Sequence, residues 1–300
     1  MDGIDELLRE SYDLHFHIGP DILPRKYTVE ELVKEESGKI KGVALKSHSF
    51  PTIALINALK DPKGMQLIGS VTLNYFMGGF NESAIYASSV MSKDNPIIVW
   101  FPTVHAENHL LKNKSKYEIP PEWVKDPNFK PRTKDDLKAI RVTEWSGKLI
   151  RKANHCLAMM QEMGCILATG HISWQESEKL VSESLDRGIP TIITHPMQKE
   201  IAMPIEVQRK LADKGAYIEY CYIMYLDRDH PGDYPLQEQV RCIKEIGPER
   251  IVLTSDAGQK SNPGSSESLK QYINLLEQHG LEGKDFKVML QDNPKKILGV

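Results

Sequence analysis

The chain has 300 residues, of which 40% are apolar, and 38 basic side chains stand against 41 acidic ones for a formal net charge of −3. That apolar share supports a large core and excludes disorder, and the near-neutral balance excludes a nucleic-acid binder built on a broad basic face. No apolar run approaches the roughly 20 residues needed to span a bilayer, so no membrane association is expected.

The opening Met1, Asp2, Gly3, Ile4, Asp5 and Glu6 are acidic on balance and lack the basic-then-apolar order of a signal peptide. Residues 12–17 read as a first strand. Residues 28–36 read as a helix with a capping box, Thr28 followed three positions on by Glu31. Strand 40–46, helix 52–59, strand 66–73, helix 83–91 and strand 97–101 follow. Further on come helix 148–163, strand 165–169, helix 174–187, strand 190–194, helix 205–214, strand 216–221, helix 236–246, strand 251–255 and helix 266–279. Most of the strands are near-continuously apolar, as in parallel strands covered on both faces. Gly164, Gly188, Gly215 and Gly247 each stand between a helix and the next strand, the expected helix stop.

Strands alternating with helices over this length predict an α/β fold, a (β/α)8 TIM barrel forming a single domain over residues 1–300. An open doubly wound sheet would carry a Gly-rich phosphate turn after the first strand, and Ile18-Gly19-Pro20-Asp21 is not one. Residues 105–134 form an unusually long connection after strand four, with Pro120, Pro121, Pro127 and Pro131. It holds Lys112, Lys114, Lys116, Lys125, Lys130, Arg132 and Lys134 against Glu107, Glu118, Glu122 and Asp126. It reads either as a solvated excursion or as a lid that favours an anionic substrate. Cys156, Cys165, Cys221 and Cys242 form no CxxC pair and are expected as reduced thiols of a cytoplasmic protein.

The histidines carry the functional signal. His15 and His17 end the first strand two residues apart, so both imidazoles share one face while Phe16 takes the other. Lys46 and His48 repeat the spacing at the second strand. His105 lies just past the fourth, His171 follows the fifth, His195 ends the sixth and Asp256 ends the eighth. In a parallel barrel these strand ends converge on one mouth. Imidazole and carboxylate donors suit Zn, Mn or Fe, and the lack of cysteine among them fits an open catalytic site rather than a structural one. His109, His155, His230 and His279 fall in helices or loops and receive no role.

Asp13-Leu14-His15-Phe16-His17, Thr169-Gly170-His171, Thr194-His195-Pro196, Thr254-Ser255-Asp256 and the closing residues Asp292-Asn293-Pro294 resemble the amidohydrolase superfamily of metal-dependent hydrolases. The resemblance spans nearly the whole chain and implies chemistry rather than a substrate. It implies that His15, His17, His171 and Asp256 hold a divalent metal, zinc first, with His195 as a ligand or a contact to water or substrate. Asp256 would act as general base, then acid, and Lys46, His48 and His105 would bind a substrate anion. Binuclear members carry a bridging Lys or Glu on strand four, and Pro96-Ile97-Ile98-Val99-Trp100-Phe101 has neither. One ion is therefore expected, although Lys46 could bridge two if carboxylated.

A second resemblance, to the PHP phosphoesterases, rests on the same first strand, on Thr28-Val29-Glu30-Glu31-Leu32 and on Ala44-Leu45-Lys46-Ser47-His48. It would make His48 a metal ligand in a site of up to three ions, but the usual Asp-x-His ending is here Asp256-Ala257-Gly258. The function expected first is hydrolysis of a small amide, lactone or ester. The alternatives are a PHP-like phosphoesterase, a metal-dependent decarboxylase or lyase, and a non-catalytic binding barrel. A small-molecule substrate is the expected partner, without nucleic acid or membrane. A homo-oligomer is compatible with all of these. Glu219 is a further rim candidate.

Overall fold

A computed structural model describes residues 3–93, 95–124, 126–226 and 235–300. Met1, Asp2, Lys125 and His230 lie outside the described residues. The apolar runs form parallel strands in the expected order. Strands β1 (Tyr12–His17), β2 (Gly42–Lys46) and β3 (Gln66–Ile68) make one sheet. Strands β4 (Ser70–Thr72), β5 (Ile98–Trp100), β6 (Ile166–Ala168), β7 (Thr191–Ile193), β8 (Tyr217–Cys221) and β9 (Ile251–Thr254) make a second. The run at 66–73, expected as one strand, is divided at Gly69.

Helices Val29–Glu36, Ile53–Ala58, Glu82–Ser92, Arg151–Glu162, Trp174–Asp186, Ile205–Asp213, Leu236–Ile246 and Ser265–Glu277 stand where helical periodicity was read. Thr28 closes the expected capping box, with Glu31 N donating to its Oγ1 and Thr28 N donating to Glu31 Oε2. The cysteines are free and buried. Among the described residues no helix is long and apolar enough to cross a membrane.

The strands are apolar on both faces because both faces are covered. In β5, Ile98 and Trp100 join a core drawn from both sheets, with Leu14, Ala44, Ile68, Ala168 and Val252. Val99, between them, packs instead into a helix-backed layer with Ile85, Leu157 and Met160. This is the two-residue alternation of a strand with each face spent on a different core.

The two sheets meet along two seams. At the first, Ser70 Oγ and Thr52 Oγ1 both donate to Leu45 O, at 2.6 and 2.9 Å, and Thr52 N donates to Ser70 O. At the second, Asp256 N donates to His15 O at 2.9 Å and His17 N donates to Ala257 O at 2.8 Å, which ties the end of β9 to β1. The long connection after β5 is also tied in. Val142 N donates to Glu176 Oε1 at 2.8 Å, Glu107 N donates to Ile140 O, and Glu118 and Ile119 are buried.

Candidate active site

β1 carries the first site residues, and its irregularity aims them. Asp13 is in register with Val43 and Phe16 with Leu45, so one extra residue bulges out of β1 between them. A bulge resets which face the following side chains take. Leu14 packs in the core shared by the sheets, Phe16 packs outside in a separate cluster with Leu32, Val33 and Leu269, and His15 and His17 point together toward Asp256. Asp13 anchors the neighbouring strand end. It accepts from Ser255 N at 3.0 Å, from Ser265 Oγ at 2.7 Å and from Ser255 Oγ. Burial nevertheless pushes its carboxyl up to about 6.

His15 Nε2 and His17 Nε2 lie 2.9 and 3.0 Å from Asp256 Oδ1, and these three buried residues form a cluster whose donor atoms all lie within 4.8 Å of one another. Nitrogen and oxygen donors around a tetrahedral zinc stand about 3.3 Å apart, given metal bonds of about 2.0–2.2 Å. On the far side of its ring, His15 Nδ1 lies 2.7 Å from Glu219 Oε1, which also accepts from Thr254 Oγ1 at 2.7 Å. Glu219 accepts the Nδ1 proton and so leaves Nε2 directed at Asp256. A carboxylate behind a ligating histidine fixes tautomer and ring orientation in this way. Glu219 is thus a buried support of His15 and not the rim residue expected.

The Asp256 and Glu219 carboxylates favour positive charge at His15, whereas burial and the Arg25 guanidinium oppose it at His17. Burial pushes His15 down, but the Asp256 and Glu219 carboxylates outweigh it and raise its pKa overall. Burial acts to raise Asp256, and His15 and His17 beside it hold it well below the usual carboxylate range. Burial, with Arg25 assisting, puts His17 well below the usual imidazole value. A buried carboxylate flanked by imidazole nitrogens is a donor set that fits a divalent ion.

The remaining predicted residues divide. His195 Nε2 is 4.0 Å from Asp256 Oδ2, and the His171 ring lies tilted with its centre 5.0 Å from that of the His195 ring, so both border the cluster without entering it. Their Nδ1 atoms are buried without a partner among the described residues, and burial pushes His195 down to about 4. Lys46 Nζ is 2.9 Å from His15 Nε2 and 4.0 Å from the centre of the Trp100 ring, and burial pushes it down to about 8. The His48 ring lies 4.8 Å from that of His17. His105 is not brought to the cluster. Its Nδ1 accepts from Tyr75 N at 3.0 Å and its Nε2 pairs with Glu118, which Arg132 also grips with two nitrogens. Both ring nitrogens are thereby taken, which leaves neither for a substrate.

Two residues escaped sequence reasoning. His109 is buried against His171, its ring 5.1 Å away, and neither nitrogen has a partner among the described residues. It sits on a helix rather than at a strand end, so no strand periodicity marks it. Arg25 is a buried guanidinium held by Asp21 at 2.7 Å, and it adds to the burial that depresses His17, His48 and Lys46. Only the four-residue spacing from Asp21 hints at it.

Backbone conformation adds a signal. His195 and Asp256 adopt φ of +26° and +48°, a region non-glycine residues seldom enter. Each costs roughly 1–3 kcal/mol, and such costs gather where a site must be held. Gly258, at φ +111°, passes so close to β1 that a Cβ would lie 2.0 Å from His17 O. Gly258→Ala is therefore expected to destabilise the fold by about 3 kcal/mol or more, read from chemical denaturation. Glu219→Gln keeps the shape but loses the charge behind His15. It is expected to weaken binding of a divalent cation about 10- to 100-fold by calorimetric titration.

The same fold occurs in solved structures of low sequence identity. An amidohydrolase from Pseudomonas aeruginosa matches with a TM-score of 0.59 at 12% identity, covering 98% of each chain. A probable 2-pyrone-4,6-dicarboxylic acid hydrolase from Acinetobacter baumannii, with citric acid bound, matches with a TM-score of 0.59 at 12% identity, covering 97% of this chain and 100% of that one. A probable dipeptidase from Pseudomonas aeruginosa matches with a TM-score of 0.60 at 12% identity, covering 99% and 96%. No curated protein matches the sequence. Residues 10–219 match the family described as "Family of unknown function (DUF6282)", and the chain belongs to that family.

Proposed function

We propose that the chain is a metal-dependent hydrolase of the amidohydrolase type. The observation that carries this reading is the convergence of His15, His17 and Asp256 on one buried point, with Glu219 behind His15. The amidohydrolase and hydrolase descriptions of the similar solved structures support it. The reading takes the two sheets as one closed (β/α)8 barrel and residues 1–300 as one domain, supported by the hydrogen bonds at both seams. Residues 105–134 are taken as a cover over the mouth. Asn108 Nδ2 supports that placement, donating to His171 O at 3.2 Å and Glu200 O at 2.9 Å.

His15, His17 and Asp256 would hold one divalent cation, zinc before manganese or iron, with His171 and His195 bordering the cluster. Such a cation supplies Lewis acidity, polarising a substrate oxygen and making water a competent nucleophile near neutral pH. Asp256 accepts the proton of the attacking water and returns it to the leaving group. His195, next to Asp256, faces the water or the substrate. Lys46 and His48 bind the substrate, and the Lys46 ammonium beside His15 favours an anionic one. Within 105–134, Arg132 is paired with Glu118, while Lys112 and Lys134 donate to the backbone carbonyls of Glu200 and Asn113 and keep their charge. We take the substrate as a small carboxylate-bearing lactone, ester or amide handled in the cytoplasm, by one chain or a homo-oligomer.

Zinc-loaded protein screened on such compounds tests this. Turnover that a chelator abolishes and zinc restores is the expected result. Carbon dioxide release without hydrolysis would replace the reading with a lyase. Turnover confined to phosphate esters would replace the carboxylate-bearing lactone, ester or amide with a phosphoester substrate. No turnover on any panel would favour a binding barrel.

A further inference from the structure

His48 Nδ1 lies 2.9 Å from Thr103 Oγ1, and all of that contact is buried. Which atom donates follows from the group behind Thr103. Asn74, fully buried, has its carboxamide orientation set by four partners. Its Oδ1 accepts from Thr103 N at 3.0 Å and His105 N at 3.4 Å. Its Nδ2 donates to Thr103 Oγ1 at 2.8 Å and to His48 O at 3.3 Å. The flipped amide would set hydrogens against two N–H groups and an oxygen against a carbonyl, so this orientation stands.

Thr103 Oγ1 is therefore already an acceptor, from Asn74. Its one hydrogen has a single acceptor in reach among the described residues, His48 Nδ1. If Nδ1 carried the proton, as in the other neutral tautomer or in the cation, the hydroxyl hydrogen would be buried without a partner, which costs free energy. The chain Asn74 to Thr103 to His48 thus runs in one direction and leaves the proton on Nε2. That nitrogen has no hydrogen-bond partner among the described residues, and its ring lies 4.8 Å from His17 and 6.5 Å from His171.

We infer that His48 presents an N–H donor, and not a lone pair, to the mouth of the site, with Asn74 and Thr103 as the positioning residues that fix this tautomer. His48 then binds an anionic or carbonyl oxygen of the substrate, the class already assigned to this site, and does not ligate a metal. The inference about ligand chemistry rests on the proposed function, whereas the tautomer does not.

The test is long-range proton–nitrogen correlation spectroscopy of zinc-loaded protein with labelled histidine, and it needs no substrate. The expected spectrum has His48 Nε2 protonated and Nδ1 accepting. Thr103→Val should move the ring toward the Nδ1–H form, while Thr103→Ser should keep the wild-type pattern. Inorganic phosphate, as an oxyanion probe, should shift the Nε2–H resonance and bind about tenfold more weakly to Thr103→Val, at unchanged zinc content. An unprotonated Nε2 in zinc-loaded wild type would overturn the inference, as would wild-type phosphate affinity in Thr103→Val. A protein that hydrolyses nothing yet shows the Nε2–H form would sink the proposed function and leave the tautomer intact.

Discussion

Replacing His15 and His17 together by alanine is expected to remove essentially all tightly bound divalent cation. The two imidazoles supply two of the three donors that converge at the ends of β1 and β9, and a lone carboxylate does not hold a transition metal against water. The pair also stabilises the ionised carboxyl of Asp256. Without them its carboxyl is left buried beside Lys46, so the pKa of Asp256 should rise toward and beyond the ordinary carboxylate value. Because a ligand that binds only the folded state stabilises by mass action, wild type should melt higher with added zinc and the double variant should not. Elemental analysis and thermal melts with and without zinc read both effects. Metal retained at the wild-type level would mean that β1 does not hold the ion.

Asp256→Asn is expected to lower turnover by about a thousandfold or more while leaving part of the metal in place. The amide preserves an oxygen near His15 and His17 but cannot take and return a proton, and general acid–base groups contribute roughly a hundredfold to ten-thousandfold. The loss should fall on kcat more than on KM, since Asp256 is assigned to the proton and not to holding the substrate. Turnover within tenfold of wild type would remove Asp256 from the chemistry and leave it as a ligand alone.

Much of this site was legible in the sequence because strand periodicity is rigid. The spacing of His15 and His17 dictated a shared face, and the order of apolar runs put His195 and Asp256 at strand ends. The bulge in β1 was not legible, although it lets Leu14 face the shared core just before His15 turns to Asp256. Depth was hidden as well. Glu219 alternates out of β8 like any rim residue, and only the β8–β9 pairing sets it behind His15. His105 lies just past a strand, and only the fold of the following segment returns Glu118 and Arg132 to occupy it. His109 and Arg25 lie off the strands, where no periodicity points inward.

The PHP-like ending would require histidine at the position of Gly258, where φ is +111° and a Cβ would fall 2.0 Å from His17 O. No side chain fits there, so the backbone that brings β9 against β1 is itself incompatible with that ligand set.

In the proposed function, three side chains on β1 and after β9 hold one catalytic cation. Elemental analysis of untagged protein, purified and then reconstituted with zinc, addresses it most directly. About one equivalent per chain, lost on replacing His15 and His17, is the predicted result. No metal after reconstitution, or an equivalent indifferent to those replacements, would contradict it.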